Sequence, residues 1–148
     1  MKKILLITIF LLLQSFSSFG SPEGKNIICK CYDCILNIRK DPQGFVFQNG
    51  KVINHYLMKK NGIYIYYKDY NINPYKDSLK YIEWWWSGQS FHLNRKTLEL
   101  TRWYGQIQTH SECKLQNSHS KYMDELKKIM NEYQVEYNKK LKELDNKI

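Results

Sequence analysis

The chain has 148 residues, 43% of them hydrophobic and 15% aromatic, with 23 Lys/Arg against 14 Asp/Glu for a formal charge of +9. That length and composition exclude a multidomain assembly and a disordered chain, leaving one domain's worth of sequence with enough apolar residues for a single core. The basic residues fall singly or in pairs, never as a block, which reads as a solvated surface rather than a nucleic-acid-binding patch.

The first twenty residues have the order of an export signal. Lys2 and Lys3 form a positive start, and Ile4 to Leu13 is apolar except for Thr8. Ser18-Phe19-Gly20 then puts small residues at −3 and −1 of a cut after Gly20. The apolar run is about half the roughly twenty residues a membrane-spanning helix needs, so a cleaved signal is expected rather than a retained anchor. No cysteine lies near the cut, which argues against a lipid anchor. Export makes the compartment periplasmic or extracellular. It turns the expected partners toward anionic envelope surfaces or polysaccharide, and away from nucleic acid.

Cys29, Cys31, Cys34 and Cys113 all follow the signal. In an oxidising compartment such cysteines pair. Cys29 and Cys31 sit one residue apart on an extended segment, so their side chains point to opposite faces and are poorly placed to join. Two layouts remain: Cys29–Cys34 with Cys31–Cys113, or Cys31–Cys34 with Cys29–Cys113. Each ties the start of the domain to its last strand. Cys31-Tyr32-Asp33-Cys34 also has redox spacing, but no βαβ pattern surrounds it. A single C-x-C-x-x-C run with one distant cysteine is a poor match to a four-thiolate zinc site.

From residue 27 to about 115 the pattern is β. Asn49-Gly50 and Asn61-Gly62 each separate alternating segments and suit type I′ hairpin turns. Phe45–Gln48 is expected to pair with Lys51–Asn54, and His55–Lys59 with Ile63–Tyr67. Asn71 to Asp77, with Pro74 inside, reads as a loop. Lys80–Trp86, a Ser87-Gly88 turn, Gln89–Leu93, Thr97–Tyr104 and a last strand near Cys113 complete an antiparallel meander. Such a meander closes into a sandwich or a small barrel.

After residue 117 the character changes. Met123, Leu126, Met130, Tyr133, Tyr137, Leu141, Leu144 and Ile148 form one stripe at helical spacing. Asp124–Lys128, Glu136–Lys140 and Glu143–Lys147 are favourable i,i+4 pairs, and Ser120 reads as the N-cap. A helix of roughly 28 residues would span about 42 Å, longer than a small β domain is wide. It therefore docks in part on the domain, pairs with a second copy as a coiled coil over 120–148, or extends into solvent. The expected organisation is a signal over 1–20, a β domain over 21–117 and an amphipathic helix over 118–148.

The richest stretch chemically is Tyr81-Ile82-Glu83-Trp84-Trp85-Trp86. On a strand, Ile82, Trp84 and Trp86 share one face, while Tyr81, Glu83 and Trp85 share the other. The first face suits the core. The second suits a ligand-binding surface on which sugars stack, extended by Trp103, Tyr104, Tyr64 and Tyr66. The competing reading is that all these aromatics pack the core. His55, His92, His110 and His119 are dispersed, and Ser87-Gly88-Gln89-Ser90 is no nucleophile elbow. Glu83 and Glu99, expected on neighbouring strands, are the one conceivable carboxylate pair for a small hydrolase. No catalytic residue, metal-ligand set or cofactor motif is assigned.

Leu93-Asn94-Arg95-Lys96-Thr97-Leu98-Glu99-Leu100, together with the Lys-Lys signal, an early cysteine and the terminal-strand Cys113, resembles a loose group of small uncharacterised exported proteins of Gram-negative bacteria with AT-rich genomes. The resemblance spans residues 80–115 and implies no activity. The Cys29/Cys31/Cys34 cluster and the long C-terminal helix depart from it. The sequence reading is thus an exported, non-enzymatic binding or envelope-associated protein. The alternatives are a small hydrolase of envelope polysaccharide or a self-associating structural protein.

Overall fold

A computed structural model describes residues 20–34 and 41–146 of the protein; the expected signal lies outside them except for its last residue, Gly20. Eight strands follow one another: β1 (Asn26–Cys31), β2 (Gln43–Gln48), β3 (Lys51–Lys60), β4 (Ile63–Asp77), β5 (Tyr81–Trp86), β6 (Gln89–Asn94), β7 (Glu99–Tyr104) and β8 (Ile107–Gln116). Each pairs antiparallel with the next, and β1 pairs antiparallel with β8, so the meander closes into a barrel. One helix, α1 (His119–Asp145), completes the described chain.

The turns explain the path. Both residues of Asn49-Gly50 (φ 54° and 68°), Asn61-Gly62 (52° and 79°) and Ser87-Gly88 (50° and 75°) have positive φ. That is the type I′ geometry whose twist matches the flanking strands. Phe45 pairs with Asn54 and Gln48 with Lys51, and Lys59 pairs with Tyr64, as the hairpin pattern predicts.

The Asn71–Asp77 loop expectation is overturned. This stretch continues β4 to Asp77, with a register shift on β3 between Val52 and Asn54. Beyond the shift β4 changes neighbour: Pro74 still faces Lys51, while Tyr75 to Asp77 pair with Trp84 to Ile82 of β5. A proline, which has no N–H to give, is tolerated at such an irregularity.

The inward-facing side chains fill the barrel. Trp84 stacks on Phe91 (centroids 5.1 Å, planes 7° apart), and Phe45 meets both edge-on at 5.2 and 5.9 Å. Ile27, Phe47, Ile82 and Leu93 are fully buried around them. Alternation along the strands gives these residues one side, and eight strands enclose a space that such rings can fill. Arg102, Gln43, Asn54 and Gln89 are also buried. Arg102 donates to Gln43 Oε1 and Thr109 Oγ1, both at 3.3 Å.

Cys29 is bonded to Cys113, and Cys31 to Cys34. The first joins directly opposed residues of β1 and β8, at the seam where the barrel closes. With all four sulfurs paired, the Cys29–Cys34 layout and the zinc reading both fall away.

Helix α1 lies across the outer wall. Its N-cap is Ser118, not Ser120: Ser118 is extended (φ −154°, ψ 162°) and its side chain accepts from Lys121 N–H. The buried residues are Tyr122, Leu126 and Ile129, packed on Ile28 and Val46, with Met123 and Tyr133 at the margin. Tyr122 and Ile129 thus hold the inner positions that the stripe gave to Met123 and Met130. Tyr133 and Tyr137 reach Tyr64 edge-on, at 5.7 and 6.0 Å. From Asn138 to Asn146 every residue is exposed, so the last turns leave the barrel behind. Glu136 and Lys140 pair at 2.6 Å on this outer stretch. The expected partner Lys147 and Ile148 lie outside the described side chains.

Candidate functional site: the uncovered outer face of β5–β8

A packed interior leaves the outer wall as the surface for function, and α1 covers the part formed by β1 to β4. Among the described residues no helix or strand covers the wall formed by β5, β6, β7 and the first half of β8, while the second half of β8 meets α1. Strand parity sends Tyr81, Glu83 and Trp85 of β5 to this outer wall, while Trp84 and Trp86 turn inward at 5% exposure each. Trp85 is 60% exposed.

The register places the neighbours. Trp85 pairs with Ser90, and Ser90 pairs with Trp103. Two indoles therefore flank a small side chain, two strand spacings apart, or about 10 Å. Trp103 is half-buried and rests on the His92 ring, centroids 4.4 Å apart in an edge-to-face arrangement. His92 Nδ1 lies 2.9 Å from Glu83 Oε1, which fixes the imidazole and through it the indole. Trp103 thus stands on a hydrogen-bonded support. Tyr81 lies at the far end of β5, with Lys80 Nζ 5.1 Å over its ring.

A second histidine–carboxylate pair lies beside the first. Glu83, His92, Thr101 and His110 are successive cross-strand neighbours on β5 to β8. His110 Nδ1 is 3.1 Å from Glu99 Oε1, and the same oxygen accepts from Tyr32 Oη at 2.7 Å. The Glu99 carboxylate beside its hydroxyl pushes the Tyr32 phenol up to about 12. Tyr32 also stacks on His110 (6.3 Å, 21°) and continues the band onto the segment after β1.

Trp85, Glu83, Tyr81 and Trp103 thus share one face, while the proposed extension through Tyr64 and Tyr66 does not hold. Those tyrosines sit on β4 against α1, where burial raises the Tyr66 hydroxyl. Tyr104 has the opposite parity to Trp103 at the end of its strand. Glu83 and Glu99 are on β5 and β7 with β6 between them, each held by its own histidine. His92, His110, Thr101 and Tyr32 are the members that spacing along the chain misses. Counting alternation outward from the Ser87-Gly88 turn would have found His92.

Elsewhere, a groove of about 280 Å³ between α1, β1 and β8 has Ile28, Ile129 and Tyr133 on its floor. Its rim mixes Lys30 and Lys114 with Glu112, Glu125 and Glu132, charges that offset one another and select no ligand sign. Among the described residues no group of three or more His, Cys, Asp or Glu is placed to hold a metal ion, and no helix is long and apolar enough to cross a membrane. No protein-family model, curated protein or solved structure matches the chain.

Proposed function

We propose that the protein is an exported, non-enzymatic binding protein, periplasmic or secreted, that takes polysaccharide on the outer face of β5–β8. The observation that carries this reading is Trp85, 60% exposed on the same face as Trp103 with only Ser90 between them. Indole faces stack on the apolar faces of sugar rings, and Glu83, His92 and Thr101 beside them offer hydrogen bonds to hydroxyls. The two disulfides fit an oxidising compartment. Glu83 and His92 are paired, but on the outside of a barrel wall rather than in a cleft, which favours binding over hydrolysis.

Pull-down of the full chain with immobilised glycans and envelope fractions, repeated with Trp85→Ala, tests this. Loss of one stacking partner is expected to weaken retention roughly fivefold, from about 1 kcal/mol of ring contact. Equal retention of wild type, Trp85→Ala and Trp103→Ala would sink the reading.

A second reading is self-association through the end of α1, favoured by Leu141 and Leu144 at 42% and 59% exposure on the overhang. Sedimentation showing a strict monomer removes it.

A further inference from the structure

The two disulfides differ in what they constrain. Cys29–Cys113 is buried, at 2% and 4% exposure, and links residues 84 apart in sequence. It restricts the unfolded chain strongly. Cys31–Cys34 links residues three apart, and both cysteines are half-buried. A loop that short restricts the unfolded chain least, so stability is a weak account of it.

Its surroundings are nonetheless built. Tyr32 is tied to Glu99, and the Asp33 carboxylate accepts from His110 N–H. Arg102, 5% exposed, reaches from inside the barrel and places Nη2 3.9 Å from Cys34 Sγ. A buried guanidinium beside one sulfur of a C-x-x-C pair favours that sulfur as a thiolate and hence as a leaving group. The nearest carboxylate in sequence, Asp33, is engaged by the His110 backbone.

We propose that Cys31–Cys34 is a thiol–disulfide exchange site that oxidises dithiols, with Cys34 as the leaving sulfur beside Arg102. A thiolate of the dithiol attacks Cys31 Sγ; a mixed disulfide forms as the Cys31–Cys34 bond breaks, and Cys34 departs as a thiolate. The second thiol of the dithiol gives up its proton and attacks its own sulfur in the mixed disulfide, releasing Cys31. Two electrons pass from the dithiol, which becomes a disulfide, to Cys31 and Cys34, which take up two protons and end as thiols. Arg102 is a positioning residue in this scheme, and Cys29–Cys113 takes no part. The exchange chemistry does not rest on sugar binding at Trp85, although Tyr32 and Asp33 join the same face through Glu99 and His110.

The test equilibrates the full chain in graded mixtures of reduced and oxidised dithiothreitol, traps free thiols by alkylation and maps them by mass spectrometry. Cys31 and Cys34 are expected to become reduced in mixtures at least a hundredfold less reducing than those that open Cys29–Cys113. Arg102→Met is expected to shift the Cys31–Cys34 midpoint at least tenfold toward harder reduction, about 30 mV. Because Arg102 is buried, Cys31→Ser with Arg102 intact supplies a second measurement. Its Cys34 is expected to alkylate at pH 6.5 at least tenfold faster than N-acetylcysteine. Co-reduction of both disulfides, or alkylation of Cys34 no faster than N-acetylcysteine, would overturn the proposal.

Discussion

The Tyr122 hydroxyl lies 2.7 Å from His55 Nδ1, and the two side chains are buried together between α1 and the barrel wall. Burial lowers His55 to about 4, with the Lys68 charge adding to the effect, and burial raises the Tyr122 hydroxyl. Both groups are therefore held neutral, and the hydrogen bond runs between phenol and imidazole with no charge on either. This one hydrogen bond joins the first turn of α1 to β3.

Acid should loosen that junction. Above pH 6.5 His55 is neutral in both folded and unfolded chains and has no effect on the balance. Between about 6.5 and 4 the unfolded chain gains a proton that the folded chain refuses, so stability falls with pH across that window. The loss is on the order of 2 kcal/mol. Urea titrations at pH 7 and pH 4.5 should show a smaller pH effect in His55→Gln than in wild type; identical pH dependence would refute this role of His55.

Gly44 is required where α1 crosses β2. A Cβ at this position would overlap the Tyr122 phenol oxygen and lie 2.9 Å from its Cζ. Gly44→Ala should cost about 1–3 kcal/mol, the usual penalty of overpacking. Tyr122→Phe in the same chain removes the oxygen that collides, so the double variant should recover part of the loss in a thermal melt.

The seam disulfide should dominate stability. In the chain-entropy model, replacing Cys29 and Cys113 by alanine costs about 4–5 kcal/mol, and replacing Cys31 and Cys34 about 2 kcal/mol. Denaturant midpoints of the two double variants measure the order directly. A larger loss from the short loop would contradict the assignment of structural weight to the seam.

Gln134 completes the edge of β4. Its Oε1 accepts from Tyr64 N–H at 2.8 Å, and its Nε2 donates to Gly62 O at 3.1 Å, as a neighbouring strand would. Gln134→Ala should cost about 1–2 kcal/mol. It should also speed hydrogen exchange at the Tyr64 amide while leaving the β7 amides unchanged.

Much of this protein is written locally. Alternation over Tyr81–Trp86 decides that Trp84 and Trp86 face inward and Trp85 outward, because side chains on a strand alternate whatever else surrounds it. Asn49-Gly50, Asn61-Gly62 and Ser87-Gly88 set three hairpins, because positive φ at both turn residues is a local requirement. The long C-terminal helix follows from its 3.6-residue periodicity.

Other features depend on contacts distant along the chain. Pairing of β1 with β8 chose a barrel over a sandwich, and it brought Cys29 opposite Cys113, leaving Cys31 to Cys34. The partner switch of β4 at Pro74 turned an apparent loop into strand. Which helix residues are buried was decided by the shape of the wall they meet, with its gap at Gly44, rather than by the stripe's own spacing. The same closure laid Trp103 and His92 beside Trp85 and Glu83, and set Arg102 against Cys34, since residues on separate strands become neighbours only once register and closure are fixed.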